Sequence, residues 1–221
     1  MSSILDAGTV APDFTLHATP DQTLARADLR EKPANSPTGQ PPMAILKTPN
    51  NQNDHIRGPA NAPISLVQYG DYECPHCGLV YPIVKQVQSH FRRQLRFVFR
   101  HFPPSEVHPY AEIAAESAEF AGAAGLFWDM HDALFENQSL LSVPTIFRLG
   151  TALGLPQAAM RHALETGEYR NKVRSDFVGG VHSGVNGTPT FFINGVRHDG
   201  AHDYASLVSG IQMRLAAATG A

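Results

Sequence analysis

The sequence predicts an α/β fold, and three observations carry that prediction. Ile64 to Tyr69 is a short apolar run with β-branched and aromatic members, which reads as a buried strand. Val80, Ile83, Val84, Val87 and Phe91 recur at the spacing of one helix face. Leu95 to Arg100 alternates well enough for a second strand. The core therefore opens strand–helix–strand, with Cys74 at the first strand-to-helix junction.

The remaining elements follow in chain order. Phe14-Thr15-Leu16 and Thr23-Leu24-Ala25 flank Thr19-Pro20-Asp21-Gln22 and predict a hairpin. A lone two-stranded hairpin is marginal in water, so it must lean on something. Eight of the 17 prolines fall before residue 63. The stretch 32–53 is rich in Pro, Asn, Gln and Ser, with one short apolar run at Met43 to Leu46, and reads as an extended linker. Pro75 suits the first turn of the helix after Cys74, where a missing N–H costs nothing, and Pro82 should kink that helix. Residues 108 to about 183 read as helical. Ala111, Ala114, Ala115, Ala118 and Ala121 populate one segment, and Phe127 to Phe135 another. Ser142 with Pro144 starts a third, while Leu155-Pro156 and Thr166-Gly167-Glu168 punctuate two more. Gly187 to Ile193 reads as a turn entering a strand, and Asn194-Gly195 is a two-residue hairpin signal. Tyr204, Leu207, Val208, Ile211 and Leu215 close the chain with an amphipathic helix.

Composition narrows the function. Lys and Arg number 17 against 20 Asp and Glu, a net charge of −3. Neither a basic excess nor a basic run is present, which argues against a general binder of nucleic acid or of membrane surfaces. No apolar stretch of about 18 residues exists to span a bilayer. The opening residues lack a positive start and a continuous apolar stretch, so no signal peptide is visible and the expected location is the cytoplasm. At 221 residues the chain can bury a core without disulfide staples.

Its two cysteines are Cys74 and Cys77. Two cysteines cannot form a disulfide framework or a four-cysteine zinc site, and no histidine pair with ligand spacing stands out. A half zinc site and a coincidental buried pair remain the alternatives to a redox pair. Cys-x-x-Cys at a helix N-terminus supplies what disulfide exchange needs. Unpaired N–H groups and the helix dipole favour a thiolate on the first sulfur, and the second lies close enough to resolve a mixed disulfide. Cys74 is assigned the attack and Cys77 the resolution, with the His76 imidazole between them adding to thiolate stability. No cofactor or metal is called for.

The run Asp54 to Pro59 and the run Ala62 to Cys77 (APISLVQYGDYECPHC) resemble the DsbA-like thiol–disulfide oxidoreductases. The resemblance is strongest to the thioredoxin-like domain that some bacteria fuse to sodium/proton antiporters. Phe97 to Pro103, Phe127 to Asp132 and Ser183 to Gly195 support it, over about residues 54–215. It implies a thioredoxin-like fold with a helical insertion, here about residues 105–183, within a domain of residues 54–221. It implies that Pro189 is cis and faces the sulfurs. It assigns Cys74, Cys77, His76 and Pro189 to catalysis, and Thr188 and Pro75 to substrate contact, with Thr188 offering backbone groups to an extended chain. The substrates implied are protein or peptide thiols and disulfides, with a redox partner of unstated identity.

Two departures stand out. Gln68 occupies the strand position, six before Cys74, where relatives often carry a buried glutamate suspected of moving protons. Proton transfer from Cys77 then falls to water or to Asp71, although Asp71 and Glu73 would also oppose a nearby thiolate. Residues 1–31 resemble a peroxiredoxin opening (Gly8 to Leu16, then Asp28 to Arg30), but no cysteine precedes Cys74, so peroxidase activity is not carried over. A redox-sensing or interaction module is the alternative function. A glutathione-linked transferase or isomerase is a further one, although such relatives carry serine in place of the pair. His101, His108 and His131 are expected to be packed or hydrogen-bonded rather than ligands or bases, and Phe127-Trp128 to belong to the core.

Overall fold

The computed structural model describes residues 15–19, 22–25, 44–48, 50 and 52–219. The predicted hairpin is present as β1 (Thr15–Thr19) and β2 (Gln22–Ala25), paired antiparallel. Most of the peroxiredoxin-like run lies outside the described residues.

The main sheet is built from β3 (His55–Arg57), β4 (Ile64–Gly70), β5 (Leu95–His101), β6 (Thr190–Ile193) and β7 (Val196–Arg197), in the order β3-β5-β4-β6-β7. β4 and β5 run parallel, linked by the crossover helix α1 (Pro75–Phe91), and the other pairings are antiparallel. Parallel neighbours need such a crossover, which is why the strand–helix–strand opening of the sequence became one unit. β3 has no counterpart in the sequence reading. Its three residues carry too little pattern, and pairing of Ile56 opposite Val98 makes it a strand.

Strand periodicity divides the core. Ile64 and Leu66 on β4, Phe97 and Phe99 on β5, and Phe191 and Ile193 on β6 join one cluster with Val80, Val84, Val87 and Phe91 of α1. The alternate residues Val67, Tyr69, Val98 and Phe192 turn to the opposite face, against Phe102 and Val185. α1 continues through Pro82 without a break in its assigned span.

Five helices separate β5 from β6: α2 (Ala111–Ala123), α3 (Phe127–Glu136), α4 (Val143–Ala152), α5 (Gln157–Thr166) and α6 (Arg170–His182). Ser142 caps α4 as its sequence predicts, accepting from the Thr145 N–H at 3.3 Å. Gly167 ends α5 in the left-handed conformation, φ 66°. Asn194 and Gly195, at φ 48° and 80°, turn β6 into β7, matching the hairpin signal. α7 (Tyr204–Thr219) closes the chain beside α1.

Buried charge ties the helices to the sheet. Arg100 on β5 is 1% exposed and grips Asp54 with two bonds of 2.8 and 2.9 Å. Glu119 of α2 accepts from His101 Nε2 at 2.8 Å and from His55 Nε2 at 2.9 Å. Burial alone would raise the Glu119 pKa, but the two imidazoles and Lys172 hold it well below the usual carboxylate range. His101, Glu119 and Asp176 stand close enough to share a cation. The Lys172 ammonium already supplies one, 2.7 Å from Asp176 and 3.8 Å from Glu119. His131 is buried among aromatic rings and bonded to the Tyr72 hydroxyl at 3.1 Å. His101 and His131 are therefore packed and bonded, and Phe127 is core, as expected.

Part of the stretch read as an extended linker lies against the domain. Leu46 N–H donates to Gly195 O at 2.8 Å, Arg197 N–H donates to Ala44 O at 2.9 Å, and Ile45 bridges to Val196. Ala44 to Leu46, within the apolar run that interrupts the polar stretch, is thus an added edge on β7.

Candidate active site

Register brings the site together. Tyr69 pairs with Thr190, so the end of β4 and the start of β6 lie side by side. The turn Asp71 to Cys74 leaves β4 on one side, and Thr188-Pro189 enters β6 on the other. The Thr188–Pro189 peptide is cis and Pro189 is buried. The Cys74 sulfur lies 3.3 Å from the Thr188 carbonyl oxygen, across 114 positions of sequence, a bond that it donates when protonated.

Asp71 builds the turn. Its carboxylate accepts from the Glu73 N–H at 2.9 Å, and its carbonyl accepts from the Cys74 N–H at 3.3 Å. Cys74 then takes extended backbone (φ −66°, ψ 119°) as the N-cap of α1, and Pro75 begins the helix. Both cysteines are free thiols; Cys74 is 5% exposed and Cys77 is fully buried.

The two sulfurs have opposite electrostatics. The Cys77 thiol lowers the Cys74 pKa most; burial opposes it, and the Thr188 side chain and the N–H groups of Cys77 and His76 add to the lowering. The result is about 5, so the sulfur is a thiolate at neutral pH. Cys77 is pushed well above an ordinary thiol by burial, and then by its neighbour's sulfur. His76 contributes through its backbone N–H, and its side chain is exposed, as is Pro75. The causes that lower the Cys74 pKa are thus thiol, Thr188 and backbone N–H groups, His76 entering through its backbone.

One residue and one pairing that sequence reading passed over complete the site. Gln138, in the turn after α3, donates from Nε2 to Tyr72 O at 2.7 Å and to Cys74 O at 2.9 Å. No local pattern marks it. The second is the partnership of His108 with Asp71, whose Oδ2 is hydrogen-bonded to His108 Nδ1. The Asp71 carboxylate is fully buried, and burial raises its pKa to about 6 against the lowering by Glu73 N–H and His108, with the Cys74 charge raising it further. Glu73 instead accepts from the Tyr110 N–H at 2.6 Å. Gln68 is buried on the α1 side of the sheet, beside a cavity of about 10 Å³ that Tyr81 and His131 also line.

Comparison with known proteins agrees with this architecture. The oxidised BdbD of Bacillus subtilis superposes with a TM-score of 0.71 at 22% identity, over 78% of this chain and 98% of that one. Wolbachia pipientis α-DsbA1 gives 0.68 at 20%, over 77% and 94%. The catalytic domain of Proteus mirabilis ScsC gives 0.65 at 19%, over 76% and 92%. In sequence, the chain is 40% identical over 163 residues to the Na(+)/H(+) antiporter NhaA 1 of Salinispora arenicola, covering 74% of this chain and 25% of that protein. It is 37% identical over 172 residues to the NhaA 1 of a Mycobacterium species (strain KMS), covering 77% and 28%. The chain thus spans about a quarter of the length of these curated relatives. Residues 50–213 match the family model described as Thioredoxin, and with a DsbA-like helical insertion between β5 and β6 the chain belongs to the thioredoxin family.

Proposed function

We propose that the chain is a thiol–disulfide oxidoreductase that exchanges disulfides with proteins or peptides through Cys74 and Cys77. The observation that carries this reading is the contrast between the two sulfurs, one a thiolate at neutral pH and the other a buried thiol. In the reducing direction the Cys74 thiolate attacks a substrate disulfide. A Cys74–substrate bond forms and one substrate thiolate leaves. Cys77 loses its proton and attacks Cys74, so the second substrate thiolate leaves and Cys74–Cys77 becomes the disulfide. The oxidising direction is the reverse. Which direction prevails depends on the pair's potential relative to that of its surroundings.

Protein substrates are favoured by the surface around the pair. Leu79 on α1, Val107 beside His108 and Leu140 beyond Gln138 are 69%, 71% and 63% exposed. Exposed aliphatic side chains clustered near a reactive group favour apolar peptide segments. The buried Pro189 and the Thr188 backbone stand where an extended segment would approach Cys74. The test is insulin reduction with dithiothreitol, alongside oxidation of a reduced test protein. Wild type should catalyse at least one, and Cys74→Ser should lose it; full activity in that variant removes the reading.

A second reading is a redox-responsive module whose output is the state of a partner. It draws on relatives that are named antiporters and that extend well beyond the matched region. It predicts little turnover and a partner whose binding differs between the dithiol and disulfide forms; equal binding in a pulldown counts against it.

A further inference from the structure

The mechanism proposed above leaves one requirement unmet. Cys77 must lose a proton to resolve the mixed disulfide, yet its sulfur is sealed from water. Gln68 cannot take the proton, because an amide does not titrate near neutrality. The buried titratable acceptor in the turn that carries the pair is Asp71. Its backbone N–H faces the Cys77 sulfur, its carboxylate is sealed from solvent, and that carboxylate interacts electrostatically with Cys74. The carboxylate has one titratable hydrogen-bond partner, His108, whose side chain is 20% exposed. Buried dithiol, buried carboxylate and half-open imidazole therefore form a path toward solvent.

We propose that Asp71 and His108 are a proton relay for the Cys74–Cys77 pair, Asp71 taking the Cys77 proton during resolution and His108 passing it to water. The proposal rests on the dithiol reading. The balance is simple: the S–H proton of Cys77 moves to the Asp71 carboxylate, the Cys77 electron pair forms the S–S bond, and the substrate thiolate leaves with the pair from the broken bond. In the oxidising direction Asp71 returns the proton to Cys77 as it leaves.

Charge supplies the timing. While Cys74 is a thiolate, its charge opposes that of Asp71 and favours a protonated carboxyl. Formation of the mixed disulfide removes that charge, so Asp71 becomes an anion ready to accept a proton when Cys77 needs a base. The titratable groups facing Asp71 are His108 from the loop after β5, the Cys74 sulfur at the N-cap of α1 and, toward its backbone N–H, the Cys77 sulfur; Glu73, on the same turn, is held by the Tyr110 N–H.

Dithiobis(nitrobenzoate) separates the two steps in the full chain. Attack by Cys74 releases one thionitrobenzoate, and resolution by Cys77 releases the second. In wild type the second release should rise with pH through a midpoint set by Asp71, lower than the value of about 6 that this carboxyl has beside the Cys74 thiolate. Asp71→Asn should slow the second release about tenfold or more and abolish that midpoint. The first release should not slow, because a charge opposing the thiolate has been removed. His108→Gln, which keeps a side-chain donor but cannot carry a proton, should slow the second release selectively as well. An unchanged second release in both variants overturns the relay. Loss of both releases together in both variants also overturns it, assigning the pair to folding alone. A wild type that gives no second release, with Cys74 and Cys77 both reduced at the start, overturns the dithiol reading and the relay with it.

Discussion

A β-carbon on Gly78 would sit 2.0 Å from Oε1 of Gln138, closer than any real contact. The glycine on α1 is therefore the floor on which the Gln138 amide rests. From there the amide reaches the carbonyls of Tyr72 and Cys74 and holds both ends of the turn that presents the thiolate.

Any side chain at Gly78 should evict that amide. Gln138→Ala should cost about 1–3 kcal/mol for the Tyr72 carbonyl left without this donor, while the Cys74 carbonyl keeps the Gly78 N–H. Gly78→Val should cost a comparable amount, and the double variant little more than either alone, since both remove the same contacts. Urea unfolding of the reduced protein measures the cycle; fully additive losses would show that the two residues act separately.

The Cys74 sulfur should titrate near pH 5. Alkylation by iodoacetamide, followed against pH, reads this midpoint. Cys77→Ala removes the largest lowering cause and should move the midpoint upward, toward the ordinary thiol value of 9.0. A midpoint unmoved by that change would assign the thiolate to the helix N–H groups alone.

Stability should depend on redox state and pH together. Cys74 has a folded pKa below its unfolded value, so its contribution is fully present above about pH 9 and lost as pH falls through 5. The disulfide form carries no such titration. The reduced protein should therefore gain on the oxidised one as pH rises between those limits. Thermal unfolding of both forms across the window checks the sign, and a reduced form that loses stability relative to the oxidised one as pH rises would contradict it.

His131 should dominate a second window. Burial first, then the charges of Arg57 and His101, push its pKa well below 6.5. The unfolded chain takes up this proton and the folded one refuses it, so stability is full above pH 6.5 and falls below it by about 1.4 kcal/mol per pH unit. Asp71 and Glu116, raised by burial, titrate in the opposite sense. The difference between wild type and His131→Leu isolates the slope. The variant itself should lose about 1–3 kcal/mol at neutral pH, from the buried Tyr72 hydroxyl left without its partner. Parallel pH curves for the two proteins would remove His131 as the cause.

What could be read from the sequence was what local chemistry decides. Ser142, Gly167 and Asn194-Gly195 each act within a turn, and each stands where its residue type predicts. Cys74 at a strand-to-helix junction is equally local. β3 escaped because His55, Ile56 and Arg57 become a strand only through β5. Gln138 escaped because its partners lie more than 60 positions away in sequence. Asp71 and His108 were both noticed, but their partnership spans 37 positions and depends on how the loop after β5 folds back. His76 is exposed, and its effect on Cys74 comes through its backbone N–H, which its residue type does not reveal.

The segment Ala44 to Leu46 bears on how the protein avoids pairing with itself. β7 is two residues long and would otherwise end the sheet with open backbone groups, a template for a stray strand from another molecule. With Ile45 bridged to Val196 and flanking bonds to Gly195 and Arg197, that border is already occupied by the chain's own backbone. On the proposed reading, a protein that receives extended peptide segments gains from this economy of open edges. It can offer backbone hydrogen bonds at the Thr188 carbonyl, beside the sulfur that reacts, without offering them along β7, where a guest would stick and not be processed.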